Sequence, residues 1–174
     1  MRIDLATRPV LYPAAIHLTP DTTTYRDAIG HFATGVTVVT SSGPSGLTAN
    51  AVCSLSLEPL LMLVCLDTGS RTLESIRRSR RLAVNVLARH QEEIAQTFAS
   101  KAPEAEKFAG IPYEEVSDLP VLGGVVAWLT GRLRELIPGG DHVIALAEVE
   151  RVGAPGGDPL VHFRGGYRFL SEDA

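Results

Sequence analysis

The stretch Val36-Thr37-Val38-Val39-Thr40, followed by Ser42-Gly43-Pro44-Ser45-Gly46 and then Leu47-Thr48, decides the fold class. All five residues of Val36–Thr40 are Val or Thr, whose branched Cβ favours extended backbone and packs well on a pleated surface. Ser, Gly and Pro in succession supply turn conformations, so the chain folds back and Leu47-Thr48 begins a second strand paired with the first. The chain therefore forms an antiparallel hairpin over this stretch.

Outward from that hairpin, the pattern stays β-rich. Leu60-Leu61-Met62-Leu63-Val64-Cys65-Leu66 is a continuous apolar run between Pro59 and Gly69, the pattern of a strand buried on both faces. Leu82-Ala83-Val84-Asn85-Val86-Leu87 reads as another central strand. Further strands are predicted over 125–130, 132–137, 142–152 and 161–170, the last broken at Gly165-Gly166. Helices are short and peripheral. One starts at Asp21, Thr22 or Thr23 and sets Tyr25, Ile29 and Phe32 on one apolar face, with Gly35 closing it. A second is capped by Ser70 and points Leu73 and Ile76 inward, and a third spans 90–99. Residues 101–118, polar and holding Pro103 and Pro112, read as a surface excursion with a helical turn near Lys107-Phe108.

About seven strands with few helices predict a mainly β domain with peripheral helices, an antiparallel barrel closed or nearly closed. The alternation of strand and helix that a dinucleotide-binding parallel sheet requires is missing. Residues 1–20 carry Pro9, Pro13 and Pro20 and are predicted to form an arm, with a single domain over 21–174.

Of 174 residues, 45% are hydrophobic and 21% charged, which is globular composition. A net charge of −4 argues against a nucleic-acid or anionic-membrane partner. No run reaches the roughly 20 apolar residues of a membrane span. Cys53 and Cys65, both among apolar neighbours, read as reduced thiols, and the first residues lack a signal-peptide pattern; the expected compartment is cytoplasmic. No cysteine–histidine grouping has metal-ligand spacing, and no Walker loop or nucleophile elbow occurs.

Four segments offer chemistry, each with a purely structural alternative. Thr48-Ala49-Asn50-Ala51-Val52-Cys53-Ser54-Leu55-Ser56 combines small residues with hydrogen-bonding side chains, which suits either a polar turn or the edge of a flat heterocycle. Asp67-Thr68-Gly69-Ser70-Arg71-Thr72 opens a helix, as a simple cap or as a phosphate cradle. Gly139-Gly140-Asp141-His142 is a turn, or a means of presenting an imidazole to a cleft. Arg164-Gly165-Gly166-Tyr167 is a bulge with a core tyrosine, or a segment that sets Tyr167 over a ligand. The arginines at 77, 78, 80 and 81 read as a solvated helix face, with the option that one reaches a nucleotide.

The order of these segments resembles one family. Phe32-Ala33-Thr34-Gly35-Val36-Thr37-Val38-Val39-Thr40, Thr48-Ala49-Asn50 with Ser54 and Ser56, Ser70-x-Thr72, Ala83-Val84-Asn85-Val86-Leu87, Gly140-Asp141-His142 and Pro159-Leu160-Val161-His162-Phe163-Arg164-Gly165-Gly166-Tyr167 occur in the sequence expected of the flavin reductase-like family of FMN-binding split barrels. That family provides the small component of two-component flavin-dependent monooxygenases. The resemblance covers about residues 25–170. It implies an antiparallel split barrel, a homodimer, and hydride transfer from NADH or NADPH to FMN or FAD, with reduced flavin reaching an oxygenase component by diffusion. It places Gly35, Val36 and Thr37 with Thr48, Ala49, Asn50, Ala51, Ser54, Leu55 and Ser56 around the isoalloxazine and ribityl chain. Ser70 and Thr72 fall near the phosphate, and His142 near the nicotinamide as the catalytic residue, with Tyr167 close by. Two departures are visible: Ala51 stands where serine is common, and Leu60 where a second proline is. Two other readings share the barrel, a flavoprotein that keeps its flavin and acts on an organic substrate, and a non-catalytic flavin-binding module.

Overall fold

The computed structural model describes residues 20–170, so the arm expected over 1–20 lies almost wholly outside the described residues. In chain order the elements are α1 (Thr22–Gly30), β1 (Thr34–Gly35), β2 (Thr37–Ser41), β3 (Ser45–Ala49), β4 (Val52–Leu57), β5 (Leu60–Asp67), α2 (Arg71–Ser79), β6 (Arg81–Val86), α3 (Glu92–Ala99), α4 (Glu104–Phe108), β7 (Tyr113–Val116), β8 (Leu119–Leu122), β9 (Ala127–Gly139), β10 (His142–Gly153), β11 (Val161–Phe163) and β12 (Gly166–Arg168).

Seven strands form one sheet in the order β3-β2-β6-β9-β10-β5-β4, every neighbouring pair antiparallel. The two outer strands, β3 and β4, are consecutive in the chain and joined only by Asn50-Ala51. Three Cα–Cα steps of about 3.8 Å bridge Ala49 to Val52, so the two edges of the sheet lie within roughly 11 Å of each other at that corner. A seven-stranded sheet meets this condition only by curling into a barrel, and the barrel is split where β3 and β4 diverge. Ala51 O accepts from Cys65 N at 2.9 Å, which ties the link to β5. Small sheets β1-β11-β12 and β7-β8 complete the fold.

The core has two parts. Inside the barrel, Val39, Met62, Val64, Leu66, Leu82, Val84 and Ala145 pack with Leu73 and Ile76 of α2, as their spacing predicted. Ser70 caps α2 by accepting from Thr72 N and Leu73 N. The second cluster joins Val36, Val38 and Leu87 to Ala95 and Phe98 of α3, Phe108, Leu122 and Leu160.

Several local expectations change. β5 is not buried on both faces: Met62, Val64 and Leu66 are buried while the residues between them are half-buried, since one side of β5 faces the barrel interior and the other its rim. The break expected near Gly131 is absent, and β9 runs through it. A Cβ at Gly131 would stand 2.7 Å from Glu148 O and 2.9 Å from Met62 Cε, so glycine here serves close strand approach. The excursion 101–118 is not superficial throughout, because Lys107 and Phe108 are buried. Lys107 Nζ donates to Gly46 O at 3.1 Å and Phe98 O at 3.4 Å, and burial lowers its pKa from the ordinary lysine value. Cys53 is exposed rather than apolar in setting, and both cysteines are free thiols.

Helix α1 begins at the predicted Asp21, whose side chain and Thr24 form a reciprocal cap, and ends at Gly30 rather than at Gly35. Its apolar residues Tyr25 and Ile29, with Phe32 just beyond, are exposed. The arginines of α2 and its exit form a solvated face, as expected: Arg77 and Arg78 are exposed, Arg77 pairing with Glu74, exposed Arg80 donates to Leu133 O and Arg134 O, and half-buried Arg81 shares Glu150 with Arg132. Among the described residues no helix is long and apolar enough to cross a membrane.

Candidate functional site

Val36 is the hinge between the barrel and the small sheet. Its N–H donates to Leu160 O and its carbonyl accepts from Leu87 N, both at 3.0 Å. β1 immediately before it pairs with β11, which pairs with β12, with Thr34 opposite His162 and His162 opposite Tyr167. The β11–β12 turn is Arg164-Gly165, at φ 50° and 73°, the left-handed pair that a two-residue hairpin needs. Residues opposite in register share a face, so the imidazole of His162 and the ring of Tyr167 stand together, centroids 6.0 Å apart and edge to face. They form one wall of a cleft of about 200 Å³ whose other lining residues are Val36, Thr48 and Asn50.

The structure thus brings together residues from both ends of the sequence. Among the positions expected to hold a ligand, Val36, Thr48, Asn50 and Tyr167 line this cleft. Gly35, next to Val36, does not line it and is exposed, with open space where a Cβ would be. Ala49 is buried at the end of β3, and Ala51 is exposed in the link. Ser54 and Leu55 are exposed and Ser56 half-buried on β4, whose pairing is interrupted by a bulge between Ser54 and Ser56.

Several hydroxyls expected to face a ligand are engaged within the protein. Thr37 Oγ1 donates to Ala49 O and Thr48 Oγ1 to Ala95 O, each at 2.6 Å. Ser70 Oγ accepts from Thr72 N and Leu73 N, while buried Thr72 Oγ1 accepts from Ser45 Oγ at 3.1 Å. Ser56 Oγ accepts from Glu58 N at 3.2 Å. Thr37 and Thr48 thus spend their hydroxyl protons within the protein, whereas Ser56, Ser70 and Thr72 only accept. By contrast, the polar side-chain atoms of Asn50 and Tyr167 make no hydrogen bond among the described residues. Burial, foremost, and nearby Glu92 raise the Tyr167 pKa, so the phenol stays a proton donor at neutral pH.

His142 belongs to a neighbouring corner. It stands opposite Asp67 in the β5–β10 register, and its Nδ1 is 2.7 Å from Asp141 Oδ1. That hydrogen bond is the main reason the Asp141 carboxyl titrates below its usual range. Asp141 O in turn accepts from Thr68 N and Thr68 Oγ1, each at 3.1 Å, which binds the turn to the start of α2. Cys65, bonded to Ala51, lies two residues before Asp67, so the Asn50-Ala51 link and the His142 corner share one end of β5. The ring set against Tyr167, however, is His162.

His162 is the lining residue that sequence reasoning passed over, as one of five scattered histidines. The signal was present: a two-residue Arg164-Gly165 turn fixes 163 opposite 166 and 162 opposite 167. Among the described residues no group of three or more His, Cys, Asp or Glu side chains is arranged to hold a metal ion.

Residues 29–171 match the family model described as the flavin reductase like domain. A probable flavin reductase of Rhizobium meliloti is 42% identical over 147 residues, covering 82% of this chain and 47% of that protein; the chain spans about half the length of this relative. The reductase component of a 4-nitrophenol 4-monooxygenase/4-nitrocatechol 2-monooxygenase from Rhodococcus opacus is 39% identical, over 83% of this chain and 79% of its own. Among solved structures, the NADH:FAD oxidoreductase SgcE6 of Streptomyces globisporus superposes with a TM-score of 0.86 at 35% identity, covering 93% of this chain and 100% of that one.

Proposed function

Since the chain belongs to the flavin reductase-like domain family, we propose that it is an NAD(P)H:flavin oxidoreductase that reduces FMN or FAD and supplies the reduced flavin to a partner monooxygenase. The observation that carries this reading is the convergence of Val36, Asn50 and Tyr167, from three separate family motifs, on a single cleft.

The donor set suits a flavin. The cleft offers an apolar floor at Val36, the Asn50 amide and the Tyr167 phenol. Gly35 to Thr37 and Thr48 to Ser56 hold the isoalloxazine and ribityl chain through backbone and surface contact. Ser70 and Thr72 stand on the phosphate side at the start of α2; their backbone N–H groups already donate to Asp67 O and Ser70 Oγ, so the half-buried Ser70 hydroxyl, which only accepts within the fold, keeps a proton to donate. When bound, flavin supplies the hydride acceptor and the reduced nicotinamide supplies the donor. The protein's share is orientation, with no covalent step and no residue required to exchange a proton at a tuned pKa. His142, fixed by Asp141, orients the nicotinamide.

The working form is a homodimer in the cytoplasm. Tyr25 and Ile29 of α1 with Phe32 just beyond it, and Leu55, Leu57 and Leu60 at the outer hairpin, are exposed large apolar side chains that a partner subunit would cover. The test is steady-state oxidation of NADH and of NADPH with FMN, FAD and riboflavin supplied in turn. Turnover with at least one flavin is expected; none with any pair defeats the reading.

A further inference from the structure

Sorting the cleft by hydrogen bonds already made separates its residues sharply. Val36 is apolar, and the Thr48 hydroxyl is committed to Ala95 O at 2.6 Å. Asn50, His162 and Tyr167 remain, and none of their side-chain polar atoms is bonded among the described residues. The rung continues to Thr34, directly opposite His162, whose Oγ1 is buried and also lacks a partner among the described residues. Asn50 is exposed, His162 and Tyr167 are half-buried and Thr34 Oγ1 is buried; a buried or half-buried polar group without a partner is costly, so His162, Tyr167 and Thr34 around a cleft point to a ligand that completes them, with Asn50 at its open side.

We propose that His162 is a substrate-binding residue, and that its imidazole acts with the Asn50 amide and the Tyr167 phenol to hydrogen-bond an amide edge, a carbonyl flanked by N–H. The chemistry is complementary. Asn50 offers both a donor and an acceptor, neutral imidazole offers one of each, and the phenol donates. An amide edge presents an acceptor beside a donor and needs such a mixed set; a phosphate or carboxylate would need donors alone, and no lysine or arginine lines the cleft. His162 is held in place on both sides, by β1 and by β12, so its imidazole is set by two backbone ladders and not by a mobile loop. His142 lacks this character, because Asp141 occupies its Nδ1.

The inference rests on the reductase reading, in which both substrates carry an amide edge: the imide of the isoalloxazine and the carboxamide of the nicotinamide. Three proteins separate the cases: wild type, His162→Phe, which keeps a ring without hydrogen bonds, and His162→Gln, which keeps a donor and an acceptor. Thermal melting establishes that each is folded. Flavin affinity is read by fluorescence titration without nicotinamide, and the KM for NADH at saturating flavin. One lost hydrogen bond corresponds to about tenfold. His162→Phe is expected to weaken either flavin Kd or NADH KM by about that factor, and His162→Gln to recover most of it.

A rise in flavin Kd that disappears with an N3-methylated flavin assigns the imide. A rise in KM that disappears with the acetylpyridine analogue of NADH, which lacks the amide N–H, assigns the carboxamide. A folded His162→Phe protein with both constants within twofold of an active wild type overturns the inference and leaves the reductase reading standing. A folded wild type that neither binds flavin nor oxidises NADH or NADPH overturns both. If His162→Phe does not fold, His162→Ala, which also lacks the ring's hydrogen bonds, is measured with the N3-methylated flavin and the acetylpyridine analogue. Unchanged discrimination against both analogues then overturns the inference, and altered discrimination against either supports it.

Discussion

A Cβ at Gly153 would stand 2.4 Å from the indole of Trp128, so the β10 backbone is the floor on which that ring lies. Trp128 and Gly153 are opposite in the β9–β10 register, and the indole packs on the cluster that holds Val36, Leu87 and Leu160. Gly153→Ala forces the ring out of this position and is expected to lower stability by about 1–3 kcal/mol. Urea unfolding with an unchanged m-value measures it.

Lys107 gives a pH-dependent prediction. Burial lowers its folded-state pKa, so between that value and the unfolded lysine value of about 10.4 the unfolded chain binds more protons. Stability of the wild type therefore rises with pH across this alkaline window relative to Lys107→Met, which has no such proton. Urea midpoints for the two proteins, followed from pH 7 upward, should show the wild-type midpoint rising relative to that of Lys107→Met. A gap that stays constant would show that Lys107 does not titrate differently in the two states.

Ala51 is exposed in the link between β3 and β4, where a serine hydroxyl would have room. Ala51→Ser is expected to tighten flavin binding, by up to roughly tenfold if the new hydroxyl makes one net hydrogen bond. Fluorescence titration with FMN and FAD reads the change.

Asp141→Asn removes the carboxylate that holds the imidazole of His142. The expected result is a fall in kcat/KM for NADH of about threefold to tenfold with flavin Kd unaltered, since the pair lies outside the cleft lined by Asn50 and Tyr167. Titration and steady-state rates on the same preparation distinguish the two.

Leu57 is 83% exposed at the outer end of β4, near exposed Leu55 and Leu60. Leu57→Lys places a charge in the surface assigned to the dimer and is expected to shift the sedimentation coefficient toward that of a monomer. Unchanged sedimentation would move the interface away from this hairpin.

Much of the barrel was legible because its cause is local. Val36 to Thr40 are β-branched, Ser42 to Gly46 turn, and Leu73 and Ile76 fall on one side of a capped helix. Where reading failed, the deciding contact was distant. β7 and buried Lys107 lie in a polar stretch that no periodicity marks; Lys107 is held by Gly46 O and Phe98 O, and β7 by pairing with β8. Gly131 looked like a break, but its missing Cβ admits Glu148 O and Met62. The apolar face of α1 was read correctly as apolar, yet nothing among the described residues covers it.

The site divides in the same way. Asn50 and Tyr167 were identifiable as residues, since motif order and residue chemistry are properties of the chain. Which hydroxyls are already spent, and that His162 rather than His142 faces Tyr167, were decided only in three dimensions. Hydrogen-bond partners such as Ala95 for Thr48 and Ser45 for Thr72 lie 47 and 27 residues away, and only the closed barrel brings them within 3.1 Å. The sequence by itself determined a curled antiparallel sheet and the order of its motifs, because backbone preference and turn chemistry act between neighbours. Tertiary structure decided which polar atoms remain for a ligand, because that depends on every other atom the fold has already paired.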